Sequence, residues 1–146
     1  MQTLFTLPEE DKRLIQESMA CVLAGRQEIL FAYLFGSFVH DPGFHDVDVG
    51  IYLREEDFAA LRMRDAFDFE TSLAVALEKT VPYPVDVKVL NQAPVALGHA
   101  VTNGRVLLSR DEATRLAWVE GIWGRYLDMA YFFRSSLLDL LGAGQA

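Results

Sequence analysis

Leu14, Ile15, Met19, Val22 and Leu23 recur at helical spacing as far as Gly25, which predicts a first helix over about residues 7–24. Thr6-Leu7-Pro8-Glu9, just ahead, reads as a capping box or as a proline in the first turn. Ile29 to Phe35 is almost wholly apolar and predicts a strand buried on both faces that ends at Gly36. After the turn residues Asp41-Pro42-Gly43, the segment Val47 to Leu53 alternates. Val47, Val49, Ile51 and Leu53 point to the core and Asp46 and Asp48 to the other face, and the two strands make a hairpin-like pair. Glu55 to Lys79 carries Phe58, Leu61, Ala66, Phe69, Leu73 and Leu77 between polar residues, the pattern of one amphipathic helix or of two with a break. Val85 to Leu90 alternates again, with Asp86 and Lys88 opposite the valines. Pro94 to Val101 predicts a short helix, Asn103-Gly104 a turn, Val106 to Leu108 a brief strand, and residues 111–141 a long final helix. No repeat, low-complexity tract or linker divides residues 1–146, so the expectation is a single α/β domain of the α+β type. Its small mixed sheet has three to four strands flanked by helices.

A chain of 146 residues, 51% of them hydrophobic, can bury a core without disulfides or a structural metal. The formal net charge of -8 argues against direct nucleic-acid binding, which depends on Lys and Arg neutralising phosphates. Cys21 is the only cysteine, so neither an intrachain disulfide nor a Cys-rich zinc site is expected; this suits a reducing cytoplasm, and Cys21 itself reads as a small buried residue on the first helix. Glu9, Glu10 and Asp11 break the basic-then-apolar order of a secretory signal, and no uncharged run is long enough for a membrane helix.

The chemistry concentrates in three successive apolar strands. Gly36-Ser37 follows the first, Asp46 and Asp48 open the second, and Asp86 lies on the third, with every acid on the non-core parity. Such carboxylates either hold divalent cations or stand as an ordinary solvated face. With cations they would serve nucleotidyl transfer, which needs a metal-bound triphosphate and an activated hydroxyl. Gly36 would let the backbone approach a phosphate, Ser37 would add a hydroxyl and an amide donor, and Gly50 would leave room for a nucleotide. Lys88 shares the face of Asp86 and either reaches a phosphate or is solvated.

Ala32-Tyr33-Leu34-Phe35-Gly36-Ser37, Asp46-Val47-Asp48 and Val85-Asp86-Val87 together resemble the signature of the minimal nucleotidyltransferase (MNT) domains of the DNA polymerase β superfamily. The segment Val101 to Asp111, followed by an aromatic helix containing Tyr126-Leu127-Asp128, is similar to the MntA subgroup. The resemblance implies the nucleotidyltransferase fold, with Asp46, Asp48 and Asp86 as catalytic and metal-binding residues and Gly36, Ser37 and Lys88 at the nucleotide. It implies one or two Mg2+ ions, ATP as substrate, and an antitoxin that transfers AMP to a HEPN ribonuclease toxin, typically at a tyrosine. Two departures stand out: the loop Phe38 to His45 is shorter than is usual in the family, and His45 replaces the common Ser before the first acid. His45 and His40 both read as solvated loop histidines.

Trp118, Ile122, Trp123, Tyr126, Met129, Tyr131, Phe132, Phe133, Leu137 and Leu138 cover more than one face of the final helix. That helix is therefore either central and buried or an interface for a helical partner or a second copy. Two other functions stay open: an antitoxin of weak activity that neutralises by binding alone, and a nucleotidyltransferase acting on a small molecule, for which the chain is short.

Overall fold

The computed structural model describes residues 3–62 and 66–142. The apolar run becomes β2 (Ile29–Phe35), the strand that every other part of the main sheet depends on. It pairs antiparallel with β4 (Val47–Leu53) on one side and with β6 (Arg105–Ser109) on the other, while β5 (Val85–Val89) runs parallel to β4 at the edge. The order β5-β4-β2-β6 makes a mixed four-stranded sheet, within the expected three to four strands.

Both faces of β2 are covered by helices, and its pairing with β4 shifts register between Ile29 and Phe31. Across this irregularity Ile29 joins Ala32 and Leu34 in one core, while Phe31, Tyr33 and Phe35 enter the other. The first core packs Val47, Val49 and Ile51 against Met19 and Leu23 of α1 (Glu9–Ala24) and Leu73 and Leu77 of α4 (Ala66–Glu78). The second gathers Leu90, Val101 of α5 (Val95–Thr102) and Trp118 of α6 (Glu112–Gly142), with Phe31 stacked on Tyr52 at 4.7 Å. Full burial of a side chain such as Phe31 contributes about 1.5–3 kcal/mol. The result is three layers, helices on both faces of a sheet.

Several local expectations are corrected. Pro8 sits at the N-cap of α1 without a side-chain cap bond, so Thr6 forms no capping box. Thr6 belongs instead to β1 (Phe5–Thr6), which pairs with β3 (Gly43–Phe44); strands this short carry no periodicity to read. Leu14 and Cys21 are exposed, because the buried stripe of α1 runs through Lys12, Met19 and Leu23. Of the two readings of Glu55 to Lys79, the described residues form the pair of helices, α3 (Glu55–Arg62) and α4. No helix among the described residues is long and apolar enough to cross a membrane.

α6 starts where Asp111 accepts from the Thr114 backbone N–H at 3.1 Å and from its hydroxyl at 2.7 Å. The preceding Arg110 donates through its guanidinium to the carbonyls of Ala24, Arg26 and Ile29, fastening the α1–β2 connection to the end of β6. Gly104 turns α5 into β6 so tightly that a Cβ there would collide with the Leu34 carbonyl oxygen. Gly104→Ala should therefore lower stability by about 1–3 kcal/mol, read as a lower urea midpoint; an unchanged midpoint would mean that β6 shifts to admit the methyl.

Candidate active site

The sheet topology brings the chemistry to one end. Because β2 runs antiparallel to β4 while β5 runs parallel to it, the C-terminal end of β2 meets the N-terminal ends of β4 and β5. Phe35 lies opposite Asp48, and Asp48 lies opposite Asp86. Asp46, immediately before β4, joins them, and one carboxylate oxygen from each of the three acids lies within 4.8 Å of the others. Oxygen donors without Cys or His form a hard set, of the kind that suits Mg2+, Mn2+ or Ca2+ better than zinc.

Gly36 completes the arrangement. Its φ of 82° lies in the left-handed region, and a Cβ would strike the Asp48 carboxylate. Gly36 thus admits an aspartate as well as, on the sequence reading, a phosphate. Ser37 opens α2 (Ser37–His40), one helical turn in which the N–H groups of Val39 and His40 donate to the Gly36 carbonyl and that of Asp41 to the Ser37 carbonyl. The Lys88 ammonium lies 3.8 Å from Asp86 Oδ1 on an exposed side chain, opposite Gly50 in the β4–β5 register. Gly50 itself leaves no open space: Leu90 methyls reach within 3.0 Å of where its Cβ would be. The missing side chain serves packing of the second core.

Sequence reasoning missed the supports behind these groups. Glu70 and Glu78, two turns apart on α4, accept the outward N–H groups of Val89 and Val85 at 2.9 and 2.8 Å. They fasten the free edge of β5 and so fix the strand that carries Asp86. The buried Lys12, 3% exposed, donates to the carbonyls of Phe38 and Asp41 at 2.9 and 3.0 Å. Its position on the apolar stripe with Ile15 and Met19 was the available signal. His45 bonds the Thr3 carbonyl through Nδ1 at 2.9 Å and is exposed, in keeping with a loop role.

Crowding changes the acidity of Asp48. Partial burial first, then the neighbouring charges of Asp46 and Asp86, push its carboxyl up to about 6, with Lys88 opposing. Since the folded value lies above the unfolded one, the folded state holds this proton more tightly. The stability it provides is complete below about pH 4 and is lost as pH rises through about 6. Two outcomes are expected. Affinity for Mn2+, followed by calorimetry, should rise between pH 5 and 7 with proton release. Asp48→Asn should stabilise the metal-free protein at pH 8 by on the order of 1 kcal/mol, the full shift being damped by solvent; equal melting temperatures for the two proteins at pH 8 would mean that burial and the neighbouring charges do not destabilise the ionised Asp48.

The fold is shared with solved structures. A chain from the complex of tri-AMPylated Shewanella oneidensis HEPN toxin with MNT antitoxin superimposes with a TM-score of 0.65 at 17% identity, covering 89% of this chain and 98% of that one. A chain of the MntA-HepT toxin-antitoxin gives 0.64 at 17% identity, covering 88% and 98%. A chain of the toxin-antitoxin with AMP-PNP gives 0.65 at 18% identity, covering 86% and 98%. No significant match was found among curated proteins. The family described as "Polymerase beta, Nucleotidyltransferase" matches residues 17–113, which include the glycine-serine turn and all three acids. With that match spanning most of the chain and every strand of the main sheet, this chain belongs to the polymerase β nucleotidyltransferase family.

Proposed function

We propose that this chain is a Mg2+-dependent nucleotidyltransferase that acts as an antitoxin by moving AMP from ATP to a HEPN toxin. The observation that carries the reading is the convergence of Asp46, Asp48 and Asp86 beside Gly36 on this family's fold. It is supported by the solved relatives of the same fold, one with tri-AMPylated toxin and one with AMP-PNP. An ATP-dependent reaction suits the cytoplasm.

In this reading Asp46, Asp48 and Asp86 hold one or two Mg2+ ions, which would neutralise charge on the phosphates. The backbone and hydroxyl of Ser37 hold the triphosphate, Gly36 keeps side-chain bulk away from it, and Lys88 neutralises a phosphate oxygen. The acceptor hydroxyl oxygen bonds to the α-phosphorus, and the bond to the bridging oxygen breaks. Pyrophosphate leaves with the electron pair, and the hydroxyl proton passes to Asp86.

The partner surface is read from α6. Trp118 and Ile122 lie in the body of the protein, but from Leu127 onward the helix exposes its apolar residues, with Tyr131, Phe132 and Phe133 at 75%, 72% and 69%. Leu127, Tyr131, Leu138 and Leu141 form one stripe and Phe133, Leu137 and Leu140 the next, while Asp128, Ser135 and Asp139 mark the remaining face, with Phe132 beside Asp139 at its margin. The exposed apolar surface is on the order of 1,000 Å², above the few hundred Å² usual for a monomer and near one partner's share of a standard interface. One helix would cover about 100° of such a surface, so this arc fits a groove between two helices. Arg134 lies inside the arc at the middle of the segment. In a symmetric antiparallel pairing of two copies it would meet its own equivalent, which favours a different partner bearing a carboxylate there.

Two experiments test the reading. With Mg2+, the HEPN partner and ATP labelled at the α or the γ phosphate, only α label should reach the partner, and the Asp46→Asn, Asp48→Asn double variant should transfer none. Transfer of γ label would mean a kinase, label on a small acceptor alone a small-molecule enzyme, and full neutralisation by the unlabelling double variant a binding antitoxin. Separately, Phe133→Asp with Leu137→Asp should weaken partner binding by about 2 kcal/mol or more while ATP-analogue binding is kept; undiminished capture would move the interface elsewhere.

A further inference from the structure

We propose that Lys12 is a positioning residue for the nucleotide phosphates, holding the Gly36–Ser37 turn in shape from behind; this rests on the reading that the turn binds the triphosphate. α2 is a single turn, too short to persist alone, since helix nucleation is unfavourable without outside support. Its own bonds account for the carbonyls of Gly36 and Ser37. The next oxygen, that of Phe38, and the oxygen of Asp41, just past the helix, both accept from the Lys12 ammonium at 2.9 and 3.0 Å.

The cation is placed where a helix end carries partial negative charge, and it comes from a different element, α1. It also lies over the rings of Phe38 and Phe44, 5.3 and 5.7 Å from their centroids. Phe38 and Phe44 meet edge to face at 4.8 Å, and Phe44 is held by β1. One ammonium therefore ties α1, both sides of the short loop and its aromatic anchor together. A lysine buried to this degree on an otherwise apolar stripe would be costly without such partners. The loop between Ser37 and Asp46 is anchored in the core by Phe38 and Phe44, and the Lys12 ammonium is the group that holds its backbone carbonyls on the side of α1.

Lys12 touches neither the three acids nor, in this reading, the substrate, so its loss should separate two kinds of binding. In Lys12→Met, affinity of the full chain for AMP-PNP with Mg2+ should fall by roughly tenfold, the size of one net hydrogen-bond contribution. Affinity for Mn2+ alone should stay within about twofold, since its ligands are untouched. Exchange of the Val39, His40 and Asp41 amide hydrogens should quicken, and Lys12→Arg, which keeps a charged donor, should recover part of the nucleotide affinity. If Lys12→Met does not fold, Lys12→Gln provides the comparison. Unchanged AMP-PNP affinity in a folded variant, or an equal fall in Mn2+ affinity, would overturn the role. A wild-type chain that binds Mn2+ but no AMP-PNP would overturn the nucleotide reading of the turn, and this role with it.

Discussion

Everything at the site depends on the close approach of the Asp48 carboxylate to the backbone of Gly36. No side chain can stand between the end of β2 and the start of β4, so the turn and the acids share one small volume. The same closeness leaves Asp48 short of water and facing Asp46 and Asp86, which is why its proton is held so tightly. The metal-free site is thus a place where folding works against charge repulsion. The large cores on both faces of the sheet, and the glutamates of α4 that grip the outer edge of β5, provide the opposing stability.

Much of this was legible in the sequence because alternation is a direct record of which face is buried. Val47, Val49, Ile51, Val85 and Val87 are all buried, and that parity fixed the side on which Asp48 and Asp86 emerge. Proximity was not so recorded: that the three acids converge depends on strand order and on one parallel and one antiparallel pairing. The register shift in β2 was hidden because every residue of the run is apolar, so a change of face leaves no mark. Lys12, Cys21 and Leu14 were misjudged or overlooked for one reason. Residue type was read ahead of position, whereas the helix buried a lysine that had partners and exposed two apolar residues that lay off its stripe.

α6 shows a related lesson. The sequence left open whether its aromatics were core or interface, and the helix is divided between the two. Trp118 and Ile122 belong to the protein's own packing, and Trp123 donates to the Thr102 hydroxyl at 3.1 Å. His99 stacks on Tyr126 with centroids 3.6 Å apart, near the last point at which the body holds the helix. Beyond it the composition hardly changes while the surroundings do, so no count of apolar residues could locate the boundary.

A helix of 31 residues spans about 46 Å at 1.5 Å per residue, and its far half is where, in the proposed reading, a partner is gripped. A molecule tethered there would meet the acids at an effective concentration on the order of millimolar, set by geometry more than by any affinity of the catalytic pocket. Discrimination among acceptors could then reside wholly in the grip. The chemical site would be free to accept any hydroxyl the tether presents, and successive transfers to one partner would need no release between them.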